Sequence, residues 1–177
     1  MQKINYPYEI PGKPYQYVPI TNRFMQEAMK FAKEEAYDTG FGKSAPVGAV
    51  FVKDNQVLVG AAVGNDYHLK NGCKRKKLGI PSGEQYELCP GCDYSSHAEP
   101  KAIIKANTSR IDLKDSDVYL FGQWWCCNPC SDKMVEAGVN NIYLLNDSEK
   151  FFNRDLDTCK HGDFQFFYNL IKEKKNE

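Results

Sequence analysis

The sequence predicts an α/β fold in which helices cover a mixed β-sheet. Apolar residues recur at helical spacing near both ends of the chain, and short β-type apolar runs lie between them. The segments run in the order α-β-β-α-β-α-β-α, with no internal repeat. At 177 residues, 42% of them hydrophobic, the chain is long enough to bury a substantial core as one domain.

Residues 1–20 are interrupted by Pro7, Pro11, Gly12, Pro14 and Pro19 and carry Tyr6, Tyr8, Tyr15 and Tyr17. This pattern predicts an extended arm, neither helix nor central strand, that packs on the domain or on a neighbouring subunit. Residues 21–177 then form the domain itself, with a Cys-rich insert at about 66–96. Thr21 or Asn22 caps a helix to about residue 38, with Phe24, Met25, Ala28, Met29, Phe31 and Ala32 on its apolar stripe and Gly40 as its stop. Two apolar runs at 47–52 and 57–63 flank polar turn residues, which is a β-hairpin signal. A helix at 97–106, a strand at 117–121, a helix at 131–137 stopped by Gly138, and a strand at 141–145 follow. The chain ends in an amphipathic helix over 164–177, through Phe166, Phe167, Leu170 and Ile171.

With 23 basic and 23 acidic residues the formal charge is zero. No global positive field exists to hold a long nucleic acid, whereas a small charged substrate gripped locally remains compatible. The N-terminal stretch lacks the apolar core of a signal peptide, and no run could span a bilayer, so no membrane partner is expected. Seven cysteines without an export signal favour metal binding in a reducing cytoplasm over a disulfide framework.

The chemistry concentrates in His97-Ala98-Glu99 and, thirty residues on, Cys127-Asn128-Pro129-Cys130. One imidazole and two thiolates hold Zn²⁺ at three corners and leave the fourth open, the plan of a catalytic zinc site. Both segments fall at helix starts, where partial positive charge stabilises thiolates. Zinc in such a site lowers the pKa of a bound water, and Glu99, beside the ligands but not one of them, is placed to move protons. H-x-E followed by C-x-x-C is the signature of zinc-dependent base deaminases, although here Cys126 precedes the first cysteine in place of the usual proline.

Over about residues 21–145 the chain resembles the cytidine/deoxycytidylate deaminase superfamily. The matching stretches are Pro46-Val47-Gly48-Ala49-Val50, Val63-Gly64-Asn65, and the two zinc motifs. The run from Cys73-Lys74-Arg75-Lys76-Lys77 through Cys89 to His97 resembles the insert of microbial deoxycytidylate deaminases. The resemblance implies a three-layer α-β-α fold with a central five-stranded mixed sheet. It also implies deamination of dCMP to dUMP and ammonia, and a homo-oligomer, dimer or hexamer. Gly48 and Ala49 are implied to line the base pocket through backbone groups, together with Ala98. Asn65 is implied to contact sugar and base. The chain departs from the family pattern at Trp125-Cys126, at Pro100-Lys101 and at Asp66-Tyr67. All three departures touch the substrate pocket.

Cys73, Cys89 and Cys92 remain after these assignments, and with His68 they make a His/Cys₃ set suited to a second, structural zinc. Reduced buried thiols are the alternative reading, and Cys126, Cys159 and His161 are rival fourth ligands. Within the basic run, Arg75 is the candidate for a substrate phosphate. Trp125 or Trp124 offers a ring to stack on a pyrimidine, and strand alternation would put one of them in the pocket. Against dCMP stand another free base, a nucleoside, adenosine in tRNA, and a non-catalytic zinc-stabilised binding module.

Overall fold

The computed structural model describes residues 8–36, 45–81 and 84–176. Its core sheet pairs β2 (Gly48–Lys53) with β3 (Gln56–Ala62) as an antiparallel hairpin. Asp54 and Asn55 form its turn at φ 49° and 64°, the left-handed pair that a two-residue hairpin turn requires. β2 also pairs antiparallel with β4 (Asp117–Phe121), which lies parallel to β5 (Ile142–Leu145).

The fifth strand comes from the arm. β1 (Gln16–Val18) adds parallel to the outer edge of β5, giving the order β1-β5-β4-β2-β3. Within the proline-flanked stretch Gln16–Val18 is thus an edge strand, a place that fits residues whose neighbours lack N–H donors. Residues 1–7 of the arm lie outside the described residues, as does Gly40, the expected stop of the first helix.

Alternation along the strands sorts side chains to two faces. Ala49, Phe51, Val118, Leu120, Ile142 and Leu144 pack on one side against Ala98, Ala102, Ala106 and Met134. These belong to α4 (Ala98–Thr108) and α5 (Asn128–Glu136). Val50, Val52, Tyr119, Phe121 and Leu145 pack on the other against Met25, Ala28 and Met29 of α1 (Arg23–Glu35), and against Phe167 and Ile171. The latter two belong to the C-terminal helix (Phe164–Lys175). The result is a three-layer α-β-α arrangement around a five-stranded mixed sheet. Asn22 caps α1 by accepting from the Phe24 and Met25 amides, so Asn22 is the cap.

Three elements differ from expectation. α5 starts at Asn128, three residues early, because Pro129 is tolerated in a first turn whose N–H groups are unpaired. A five-residue helix, Ser148–Phe152, follows β5 and was too short to show periodicity. The insert is more ordered than its lack of pattern suggests. It holds α2 (Tyr67–Asn71), α3 (Lys74–Lys77) and 3-10 turns at Tyr86–Leu88, Pro90–Cys92 and Tyr94–Ser96. With these, Ser148–Phe152 becomes α6 and Phe164–Lys175 α7. Among the described residues no helix is long and apolar enough to cross a membrane.

Candidate functional site

His97 and Cys127 occupy equivalent places, each the residue that caps the start of a helix, α4 and α5 respectively. Their helices lie side by side on one face of the sheet, so both N-termini open at the same point. His97 Nδ1 lies 3.2 Å from Cys130 Sγ and 3.5 Å from Cys127 Sγ. The two sulfurs touch each other across a Cα separation of 5.3 Å. All three donor atoms fall within 4.8 Å of one another, a set whose softness and spacing suit a tetrahedral zinc with a fourth position open. Tyr86 and Tyr94 fix the imidazole by edge contacts at 5.1 and 5.7 Å. Burial lowers the His97 pKa to about 4, with Asp93 opposing and Arg75 reinforcing the shift, so the ring is neutral, as ligation requires.

Glu99 sits in the first turn of α4, 1% exposed. Burial pushes its carboxyl pKa above the usual range, and a hydrogen bond from Gln123 pulls the other way. Gln123 Nε2 donates to Glu99 Oε1 at 2.7 Å and reaches Cys126 Sγ at 3.8 Å. Cys126 is fully buried, and burial first and the Glu99 charge second keep its thiol protonated. Its amide donates to the Tyr15 hydroxyl at 3.0 Å, which in turn donates to the Tyr8 carbonyl at 2.5 Å. The N-terminal arm thus clasps the loop that leads into Cys127.

These groups open into a cavity of about 600 Å³, within the range that holds a mononucleotide-sized ligand. Ala98, Glu99, His97, Cys127 and Trp125 line it, and so do His68, Cys92 and His161, all selected from the sequence. Trp124 lines it too. The pair lies in a bend past β4, not on a strand, so alternation does not choose between them, and their rings meet edge-on at 6.2 Å.

Other expected contacts fall elsewhere. Gly48 and Ala49 do not line the cavity, whereas Ala45 and Val47 do. A Cβ on Gly48 would overlap the Ala28 carbonyl oxygen of α1, so this glycine serves close helix–strand packing, and Ala49 is core. Asn65 is likewise not a lining residue. Its amide nitrogen donates to Ser96 Oγ and to Pro90 O at 3.4 Å, while its oxygen caps Tyr67 N at 2.9 Å. Arg75 is wholly buried and absent from the lining. Its Nε donates to Glu84 O at 2.8 Å, its Nη2 to Pro81 O, and its guanidinium lies 4.2 Å over the Tyr86 ring. Its place is that of a strut inside the insert rather than a phosphate receptor.

Sequence reasoning missed Gln123 and Arg154, and read His161 only as a rival zinc ligand; all three line the cavity. A lone amide between Gly122 and two tryptophans was a visible signal for Gln123. Nothing in the pattern marked Arg154, or marked His161 as a cavity residue; both reach the cavity from the turn after α6.

The remaining thiols also converge. His68 Nε2 lies 3.4 Å from Cys89 Sγ and 3.6 Å from Cys92 Sγ, and Cys73 Sγ lies 3.4 Å from Cys92 Sγ. All four are buried, with donor atoms within 4.8 Å of one another. Cys126, Cys159 and His161 belong to neither donor group among the described residues. Burial raises the Cys89 thiol, but hydrogen bonds from the Lys74 backbone and from His68 outweigh it and bring the pKa to about 6. Burial dominates at Cys92 and lifts it to about 12. Four buried donors, three of them thiols, fit a closed zinc site.

Residues 20–146 match the family model described as the cytidine and deoxycytidylate deaminase zinc-binding region. No curated protein sequence matches the chain. Among solved structures it is similar to a dCMP deaminase from the cyanophage S-TIM5, with 22% identity, TM-score 0.47, and 73% of this chain and 86% of that one covered. It is similar to a Thermotoga maritima diaminohydroxyphosphoribosylaminopyrimidine deaminase/5-amino-6-(5-phosphoribosylamino)uracil reductase at 18% identity and TM-score 0.46. That match covers 86% of this chain and 34% of the other. A third similarity, at 22% identity and TM-score 0.40, is to a tRNA:A34 deaminase of wobble-position A-to-I editing, with 68% of this chain and 76% of that one covered.

Proposed function

Since the chain belongs to the cytidine and deoxycytidylate deaminase family, we propose that it hydrolyses the exocyclic amine of a cytosine nucleotide, dCMP foremost, to give dUMP and ammonia. The observation that carries this reading is the convergence of His97, Cys127 and Glu99 on one cavity walled by Trp124 and Trp125, with Cys130 completing the donor set.

Zinc held by His97, Cys127 and Cys130 would supply a Lewis acid that lowers the pKa of a water. Glu99 takes a proton from the attacking water and delivers it to the ring nitrogen beside the amino-bearing carbon. A C–O bond forms at that carbon. Glu99 then carries the water's second proton to the amine, the C–N bond breaks, and ammonia leaves. Gln123 holds the carboxylate through Oε1, leaving Oε2 to exchange protons. Trp124 and Trp125 offer flat apolar faces that exclude water and suit a pyrimidine.

The reading extends to a second zinc on His68, Cys73, Cys89 and Cys92, supported by the closeness and burial of those four donors. It places the protein in a reducing compartment, the cytoplasm, where both thiol sets stay available. It also includes self-association as a dimer or hexamer, for which exposed Ile104 on α4 and Val135 on α5 offer apolar contact.

Ammonia release from dCMP, CMP, deoxycytidine and adenosine by zinc-replete protein tests the activity. Turnover of dCMP that collapses in Glu99→Gln, with zinc content intact, is the expected result. Undiminished turnover in that variant would remove Glu99 from the chemistry.

A further inference from the structure

The cavity does not end at the residues matched by the family. Its lining includes Phe152, Asn153, Arg154, Asp155 and His161, all beyond residue 146, where the family match stops. This segment is built, not frayed. Asn153 Oδ1 accepts from the Asp155 amide at 3.0 Å, and the Leu156 amide closes a turn on Asn153 O at 3.2 Å. Thr158 Oγ1 ties back to Lys150 O at 2.7 Å, the Lys160 amide to Phe151 O at 2.7 Å, and His161 Nε2 to Phe152 O at 2.9 Å. Arg154 therefore projects from a turn whose backbone is pinned on both sides.

Charge on the lining is equally specific. Among the described residues that line the cavity, Arg154 is the only lysine or arginine; the carboxylates are Glu99 and Asp155. The basic run Lys74 to Lys77 contributes nothing to the lining, and Arg75 is buried inside the insert. His161 offers no second cation, since burial and the neighbouring Arg154 charge lower its pKa to about 4. Its Nδ1 is buried without a hydrogen-bond partner. The lining thus carries the proton-transfer carboxylate and metal donors, and among the described residues the C-terminal segment adds a single guanidinium to it.

We infer that Arg154 is the anion receptor of this site: the C-terminal segment, not the basic run of the insert, reads the 5′-phosphate of a pyrimidine nucleoside monophosphate. A guanidinium suits this role because its planar fork pairs with two phosphate oxygens at once. Asp155 beside it disfavours uncompensated anions and restricts the receptor to a ligand that meets Arg154 squarely. The inference rests on the cavity being a pyrimidine site, as proposed above, and deepens that reading by assigning its specificity to a residue outside the family-matched region.

Equilibrium titration with a product pair, dUMP and deoxyuridine, tests it without requiring turnover. Zinc-loaded wild-type protein should bind dUMP at least tenfold more tightly than deoxyuridine. Arg154→Ala should erase most of that preference, and Arg154→Lys should restore part of it, with circular dichroism and melting profile unchanged in both. Preference retained in Arg154→Ala overturns the inference, as does a wild-type protein that binds the two ligands equally or binds neither. The deaminase reading fails separately. Arg154-dependent dUMP binding without ammonia release from dCMP would leave the receptor standing and remove the reaction.

Discussion

The Gln123 side-chain amide donates to Glu99 Oε1 at 2.7 Å, linking the turn after β4 to the first turn of α4. Glu99 is buried, so this bond both orients the carboxylate and offsets part of the cost of keeping it charged. Gln123 is a positioning residue, acting on the substrate through Glu99. Gln123→Leu should lower kcat by about 100-fold, the usual cost of a catalytic group displaced by an ångström, with KM and zinc content nearly unchanged. Gln123→Asn, one methylene shorter, should recover little. A KM effect with kcat preserved would instead make Gln123 a substrate contact.

Zinc analysis tests the two donor groups together. Purified protein should carry about two equivalents per chain, and Cys89→Ser should carry about one while losing thermal stability. Deamination should survive in part, because the His97, Cys127 and Cys130 donors are untouched. One equivalent in wild type, unchanged in Cys89→Ser, would reduce the His68 group to packed thiols.

Gly91 gives an independent handle on the same group. A Cβ there would overlap the His68 ring, and the Pro90–Cys92 turn leaves it little room to move. Gly91→Ala should therefore displace His68 from the sulfurs and cost about 1–3 kcal/mol, the range for overpacking a tight site. Spectra of the cobalt-substituted protein report the ligand change directly, since loss of one nitrogen donor alters the d–d bands.

The elements that strand alternation and helical stripes determine were legible in the sequence. β4 runs over residues 117–121 as expected, because Val118 and Leu120 face one helix layer while Tyr119 and Phe121 face the other. The zinc donors were legible as well, since H-x-E and C-x-x-C set ligand geometry over a single helical turn. Arg75 was read as a candidate for a substrate phosphate because its guanidinium fork suits one, whereas carbonyls from Pro81 and Glu84 and the Tyr86 face hold it inside the insert. Those partners lie within the insert but follow no periodicity. Arg154 was not singled out, and His161 was read only as a rival zinc ligand, for a different reason. They reach the cavity only because α6 and its pinned turn fold back beside it, a tertiary fact without local sequence signature.

Tyr15 makes the arm part of the site. Its hydroxyl accepts the Cys126 amide and donates to the Tyr8 carbonyl, and the residue is 7% exposed. Tyr15→Phe removes the oxygen but keeps the ring, leaving a buried backbone N–H without its acceptor. That should destabilise the fold by about 1–3 kcal/mol, read as a lower urea midpoint at constant m-value. Because Cys126 directly precedes a metal donor, zinc should also dissociate faster from Tyr15→Phe when a chelator is added. An unchanged midpoint together with an unchanged release rate would mean that β1 alone, through its pairing with β5, holds the arm in place.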